Sequence, residues 1–254
     1  MTIAERFRLD EKNAVVTGGT RGIGRAIALG LAEHGANVVV ASRDAARCAE
    51  TAREVAHLGP RGIGVCCDVA REDDVIALLD RTAGDLGGCD VFVHCAGVAG
   101  TGRRSEDLSR DEMQRMLDIH LLGGITGAQR AALQMESRGG GAILLVTSVW
   151  GFGGASRTLD YGVAKAALAH AVRVLAVEWA AKGIRVNGLA PGFVETDMTS
   201  VLEGAARDKL VSRAPMRRAA SADEMAGPAL FLCSDAASYV TGHVLFADGG
   251  ERAR

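Results

Sequence analysis

Lys12-Asn13-Ala14-Val15-Val16-Thr17-Gly18-Gly19-Thr20-Arg21-Gly22-Ile23-Gly24-Arg25 is the stretch that decides the fold. Residues 12 to 17 have the make-up of a short buried strand, and residues 25 to 34 continue as a helical run. The turn between them is spaced Gly-x3-Gly-x-Gly rather than G-x-G-x-x-G. A tight turn alone would account for glycines. A strand that runs through such a turn into a helix is also the arrangement that binds a dinucleotide, because bare backbone can approach a pyrophosphate and the helix amino end faces its charge. Placement at the first strand–helix junction favours that second reading, with Gly18, Thr20, Arg21, Gly22, Ile23 and Gly24 as the cradle.

Working outward, the alternation of strand and helix continues. Residues 36 to 41 form a second expected strand that ends in Ser42-Arg43-Asp44. A cofactor with a free ribose 2′-hydroxyl wants a carboxylate at this point, and one with a 2′-phosphate wants an arginine. Ser42 and Arg43, with Arg21 approaching from the glycine turn, favour NADP(H). The competing reading has Asp44 on the ribose, although it also stands where it would cap the helix that follows. Residues 62 to 67 lead to Asp68-Val69 and a helix from 71 to 86; Asp68 either accepts from an adenine amino group or caps that helix. Residues 90 to 95 form a fourth strand ending in Ala96-Gly97, small enough for a flat cofactor to lie against.

Ser109-Arg110-Asp111-Glu112 is a capping box that opens one long helix to about 137. Strands follow at 142 to 146 and 183 to 189, the latter ending in Ala190-Pro191-Gly192. Residues 193 to 218 turn irregular and polar, as a mobile substrate lid would be. A second capping box, Ser221 to Glu224, precedes a helix to about 233, and residues 242 to 250 close the chain as a strand and turn. With no linker or repeat, this predicts one α/β domain over residues 1 to 254, a single doubly wound (Rossmann-type) parallel sheet with helices on both faces.

The chemistry concentrates at residues 148 to 165. Ser148 leaves the carboxyl end of an apolar strand, and Tyr161 and Lys165 lie four apart on a helix, so a phenol and an ammonium share one face. A phenol titrates near ~10 and must fall by roughly 3 units, worth ~4 kcal/mol, to exchange protons near neutrality. A cation ~4 Å away at an effective dielectric of ~20 supplies about that much.

Composition bounds the alternatives. With 254 residues, 48% of them hydrophobic, and a net charge of -2, the chain makes no electrostatic case for nucleic acid or an anionic membrane. The amino end lacks a signal-peptide core and no run is long enough to span a bilayer, so a cytoplasmic location is expected. The six cysteines and six histidines show no ligand spacing, and no metal is expected.

Taken together, Thr17-Gly18-x3-Gly22-Ile23-Gly24, Asp68-Val69, Ala96-Gly97, Ser148, Tyr161-x3-Lys165, Asn187 and Pro191-Gly192 resemble, in order and spacing, the short-chain dehydrogenase/reductase family over nearly the whole chain. The resemblance implies that Ser148 holds a substrate carbonyl, Tyr161 protonates it, and Lys165 binds the nicotinamide ribose and lowers the phenol's pKa. It places Pro191, Gly192, Val194 and Thr196 by the nicotinamide, and implies a homo-oligomer, tetramer or dimer, built on helices that include residues 109 to 137 and 160 to 182. The face of Ala164, Ala167 and Ala171 would permit close helix approach.

Two departures stand out. The family's asparagine in the long central helix, which anchors a water in a proton relay, is His120 here, either a rebuilt relay or a packing residue; and His94-Cys95 replaces Asn-Asn before Ala96-Gly97.

The nearest-looking relatives are 3-oxoacyl carrier-protein reductases, with sugar-acid and polyol dehydrogenases close behind. Val98, Trp150, Phe152, Gly153, Gly154, Leu159, Phe193 and Met198 would line a mostly apolar substrate pocket, and Arg138 and Lys182 would meet an acidic carrier or simply be solvated. The expected activity is NADPH-dependent reduction of an acyl, polyketide-like or other hydrophobic ketone. The alternatives are NAD(P)-dependent oxidation of a sugar acid or polyol, and a cofactor-binding scaffold without redox chemistry.

Overall fold

The computed structural model describes residues 1–253. Seven parallel strands form one sheet: β1 (Asn13–Thr17), β2 (Asn37–Ser42), β3 (Gly62–Cys66), β4 (Val91–His94), β5 (Gly141–Val146), β6 (Ile184–Pro191) and β7 (Val244–Ala247), in the order β3-β2-β1-β4-β5-β6-β7. The strand order reverses between β1 and β4, and the crevice at the carboxyl ends beside this switch is where such sheets keep ligands.

Unbroken apolar strands follow from burial on both faces. Val15, Phe92, Ile143 and Leu145 enter one core, with residues of α3 (Glu72–Leu86), α5 (Gly123–Ser137) and α6 (Leu159–Trp179). Val16, Val91, Val93, Leu144 and Val146 enter the other, with α1 (Gly22–Glu33) and α8 (Ala226–Cys233). Of the remaining helices, α2 (Ala45–His57) packs on β2 and β3, and α7 (Gly204–Val211) lies within segment 193–218. No helix among the described residues is long and apolar enough to cross a membrane.

The long helix expected from 109 to 137 is interrupted. It starts as α4 (Arg110–Leu117), with the expected box formed by Ser109 and Glu112, and then widens into a π-turn at Asp118–Leu122 before α5. Beyond the turn α5 packs closely on β4: a side chain on Gly124 would stand 2.8 Å from the His94 ring, and one on Gly127 would overlap Phe92. The π-turn holds His120 inward at 1% exposure. At the second expected box, Glu224 accepts from the Ser221 amide at 2.9 Å, but the helix proper begins only at Ala226, after a 3-10 turn.

Candidate active site

The catalytic and cofactor-binding residues expected from the sequence line one cavity at the carboxyl edge: the glycine turn, Ser42, Arg43, Asp68, Val69, Ala96, Gly97, His120, Ser148, Tyr161, Lys165, Pro191, Gly192, Val194 and Thr196. The glycine turn is shaped for close approach. Gly18 has a φ of +69°, and a Cβ there would lie 2.7 Å from Ala96 Cα. Arg21, ahead of α1, makes no side-chain cap, which leaves the first-turn N–H groups without a side-chain acceptor. At α2, by contrast, Asp44 accepts from the Arg47 amide at 3.1 Å. First-turn N–H groups without a side-chain acceptor, Gly18 packed on Ala96 and the carboxyl-edge crevice fit a dinucleotide.

The capping bond also bears on Asp44 as a ribose ligand, because its carboxylate belongs to α2. Arg43 makes no ion pair among the described residues, whereas Arg21 reaches Asp197 at 3.7 Å and so joins the glycine turn to the segment after β6. Asp68 does not cap α3; its Oδ1 accepts from the Ala70 amide at 3.1 Å.

At the catalytic end, Ser148 opens a 3-10 turn, and its Oγ accepts from the Trp150 amide at 3.3 Å, so the hydroxyl proton is free to donate. Lys165 is buried, with Nζ donating to the Val146 carbonyl at 2.7 Å and lying 5.7 Å from the centre of the Tyr161 ring. The expected electrostatics are reversed. Burial pushes the Tyr161 phenol up to about 12, with only the Ser148 hydroxyl pulling it down, and burial pushes Lys165 down to about 8. Desolvation outweighs a cation whose Nζ is turned to a backbone carbonyl.

His120 stacks edge-on to Tyr161, ring centres 5.2 Å apart. Its Nε2 lies 3.1 Å from the Val98 nitrogen and 3.0 Å from the Val98 oxygen, so the imidazole either accepts from that amide or donates to that carbonyl, according to tautomer. Nδ1 is buried without a partner. Burial, with Lys165 nearby, pushes His120 down to about 2. His94 sits beneath, its Nδ1 3.1 Å from Thr17 Oγ1 and its Nε2 unpaired; burial and then Lys165 push it down to about 3. Both imidazoles are neutral across the ordinary pH range.

Sequence reading missed the Val146 carbonyl and Asp197, neither of which carries a local signal; Cys95, noted there only as a departure before Ala96-Gly97, lines the cavity. Of the expected substrate wall, Val98 and Met198 share the catalytic cavity. Trp150, Phe152, Gly153, Gly154 and Leu159 line a neighbouring hollow beside Arg104 and Arg157. Asn187 is structural: its amide donates to Val240 at 2.8 Å and its oxygen accepts from the His243 amide at 3.1 Å. Arg138 is clamped on Asp90 at 2.9 Å and Lys182 on Glu136 at 2.7 Å, so both find their partners within the chain. Ala164 is wholly buried in the chain's own core, which leaves Ala167 and Ala171 of the expected helix-contact face. No group of three metal-ligating side chains occurs among the described residues.

Residues 18–251 match a family model described as enoyl-(acyl carrier protein) reductase. The chain is 41% identical over 241 residues to cis-4-hydroxycyclohexanecarboxylate dehydrogenase of Sinomonas cyclohexanicum, covering 94% of this chain and 96% of that one. It is 34% identical over 245 residues to a 3-oxoacyl-acyl-carrier-protein reductase of Aquifex aeolicus, covering 96% and 98%. A gluconate 5-dehydrogenase from Burkholderia cenocepacia, solved in complex with NADP and tartrate, superposes with a TM-score of 0.95 at 34% identity, covering 100% of both chains. A seven-stranded parallel sheet, a glycine turn at its switch point, Ser148, Tyr161 and Lys165 around one cavity, and relatives alike from end to end all lead to one conclusion: the chain is an oxidoreductase of the short-chain dehydrogenase/reductase family.

Proposed function

We propose that the protein is an NADPH-dependent carbonyl reductase acting on a ketone of an acyl or other hydrophobic substrate. The observation that carries this reading is the meeting of Ser148, Tyr161 and Lys165 in one cavity, with Lys165 Nζ 5.7 Å from the centre of the Tyr161 ring; burial, which pushes the phenol up, favours its protonated form and so its use as a proton donor. A nicotinamide cofactor in the cavity would supply the hydride. Ser148 Oγ–H donates to the substrate oxygen and steadies the charge that develops there. Tyr161 Oη gives that oxygen its proton. Lys165, pushed down to about 8 by burial and held by Val146, is poised to return a proton to the phenolate at neutral pH. His120 takes the job of holding Gly97-Val98 in place through Nε2; an imidazole pushed down to about 2 stores no proton for a relay.

Cofactor choice rests on the end of β2, where Asp44 is committed to α2 and Arg43 is left for a 2′-phosphate. Segment 193–218, tied to the glycine turn through Asp197 and Arg21, would serve as the lid. Assembly as a homo-oligomer through α5 and α6 is supported by exposed apolar side chains there, Leu133 at 62% and Val177 at 83%, and light scattering tests it.

The second reading, oxidation of a ring alcohol or sugar acid, is favoured by the names of two of the relatives, cis-4-hydroxycyclohexanecarboxylate dehydrogenase and gluconate 5-dehydrogenase. A panel of apolar ketones with NADPH, run against the matching alcohols with NADP+ or NAD+, decides between them. Ketone turnover at neutral pH is expected; turnover confined to the alcohols overturns the proposal, and cofactor binding with no turnover in either panel points to a scaffold.

A further inference from the structure

Behind Ser42 and Arg43, which line the cavity, lies a pair of thiols outside that lining, Cys48 and Cys66, that the catalytic scheme does not use. On β3 the even-numbered positions face α2: a Cβ on Gly62 would overlap the Ala52 carbonyl, and one on Gly64 would lie 2.6 Å from the Cys48 carbonyl carbon. Side chains alternate along a strand, so Cys66 points to that same side while Cys67 enters the opposite core. Ser42 is the register partner of Cys66 on β2. From α2, the Cys48 thiol reaches into this corner. Its Sγ is 3.2 Å from Ser42 Oγ and donates to the Val65 carbonyl at 3.3 Å, the peptide that leads directly into Cys66. Cys66 Sγ donates to the Arg43 carbonyl at 3.5 Å. The two thiols therefore grip consecutive residues, Ser42 and Arg43, from one side. Cys66 is exposed and Cys48 is buried.

We propose that Cys48 and Cys66 form a peroxide-responsive pair whose disulfide disables the cofactor's adenosine end, an inference that rests on the reading that Ser42 and Arg43 hold that end. Exposed Cys66 meets the oxidant first: its sulfur attacks a peroxide oxygen, the O–O bond breaks, and a sulfenic acid forms with release of one water. Burial raises the pKa of the Cys48 thiol, which makes it a poor first target and a suitable resolving group. The Cys48 sulfur then attacks the Cys66 sulfur, the S–O bond breaks, and a second water leaves. Two thiols lose two electrons and two hydrogens; the peroxide is reduced to water. A disulfide wants Cα atoms about 4.4–6.8 Å apart, so both side chains rotate toward each other and α2 adjusts over the end of β3. Ser42 then loses its contact with Cys48, the Arg43 carbonyl loses its thiol donor, and the β2–α2 turn shifts.

The test treats the reduced full-length protein with hydrogen peroxide and follows peptide masses together with NADPH affinity by fluorescence. The expected result is a cross-linked Cys48–Cys66 peptide, two hydrogens lighter than its parts, with a rise of about tenfold in the NADPH Kd, the size of one lost interaction with a charged group, and both reversed by dithiothreitol. Cys66→Ser keeps its ordinary Kd before and after peroxide. No cross-link, a cross-link with unchanged Kd, or a peroxide effect that persists in Cys66→Ser overturns the proposal. Arg43→Leu in parallel separates the two claims: if it leaves NADPH affinity intact while the cross-link still weakens binding, the assignment of the phosphate to Arg43 fails and the thiol pair stands.

Discussion

The two buried histidines make a quantitative prediction about acid stability. An unfolded imidazole titrates near its ordinary value of 6.5, while His94 and His120 in the folded protein are pushed down to about 3 and about 2, by burial first and by Lys165 second. Below pH ~6.5 the unfolded chain therefore takes up protons that the folded protein refuses, and mass action favours unfolding. The sign follows directly: for a depressed histidine the stability is intact above ~6.5 and drains away as pH falls toward the folded value. At pH ~5 each histidine has cost ~2 kcal/mol relative to pH ~7.5, and the pair ~4 kcal/mol. For a chain of this length ~1 kcal/mol moves Tm by roughly 2–4 °C, so the pair accounts for a fall of ~8–16 °C.

The assay is Tm against pH for the protein and for His94→Asn, His120→Asn and the double variant, each without cofactor. Carboxylates titrate alike in all four, and any packing loss caused by the smaller asparagine is independent of pH, so both cancel in the slope. The double variant should lose ~8–16 °C less than the parent between pH ~7.5 and ~5, and each single variant about half of that. Parallel curves for parent and double variant would refute the reasoning, since they would mean that the imidazoles are solvated or already charged in the folded state.

Three further outcomes follow from the site. Tyr161→Phe should lower ketone reduction by ~10²–10⁴-fold while NADPH still binds, in kinetics paired with fluorescence titration; near-normal turnover rejects Tyr161 as the acid. Arg43→Leu should weaken NADPH by about tenfold or more with NADH affinity unchanged, and an equal loss for both cofactors rejects 2′-phosphate recognition. His120→Asn should keep or raise turnover, because an amide can donate to the Val98 carbonyl and accept from its N–H at once, where one imidazole nitrogen serves only one of them. Loss of turnover with cofactor binding intact would give the imidazole a chemical part.

What could be read from the sequence, and what could not, divides along a physical line. Strands β1, β4 and β5 are legible because burial on both faces leaves a continuous apolar run, and the α2 and α4 starts are legible because Asp44 and Ser109 cap locally. The cavity lining follows, since strand ends and the turns after them are set by those same local signals. The π-turn at Asp118–Leu122 has no such signal: one added residue within a helix leaves composition and periodicity almost unchanged, and the helix that follows is seated by contacts such as Gly124 against His94, thirty positions away in the chain.

The reversed pKa order of Tyr161 and Lys165 is hidden for a related reason. The i, i+4 spacing puts the two on one face, but the competing partner of Lys165 is the Val146 carbonyl on β5, and desolvation depends on the whole cavity. The histidines join both sides of that line. Their presence in place of asparagines is visible in the sequence, yet their consequence appears only when β4 and the π-turn bring them together beneath the cofactor cavity. Each keeps one ring nitrogen unpaired, and Lys165 disfavours charge on either. An asparagine at those positions would add no titrating group, so the exchange of amide for imidazole turns a pH-indifferent floor of the active site into one whose stability depends on staying neutral.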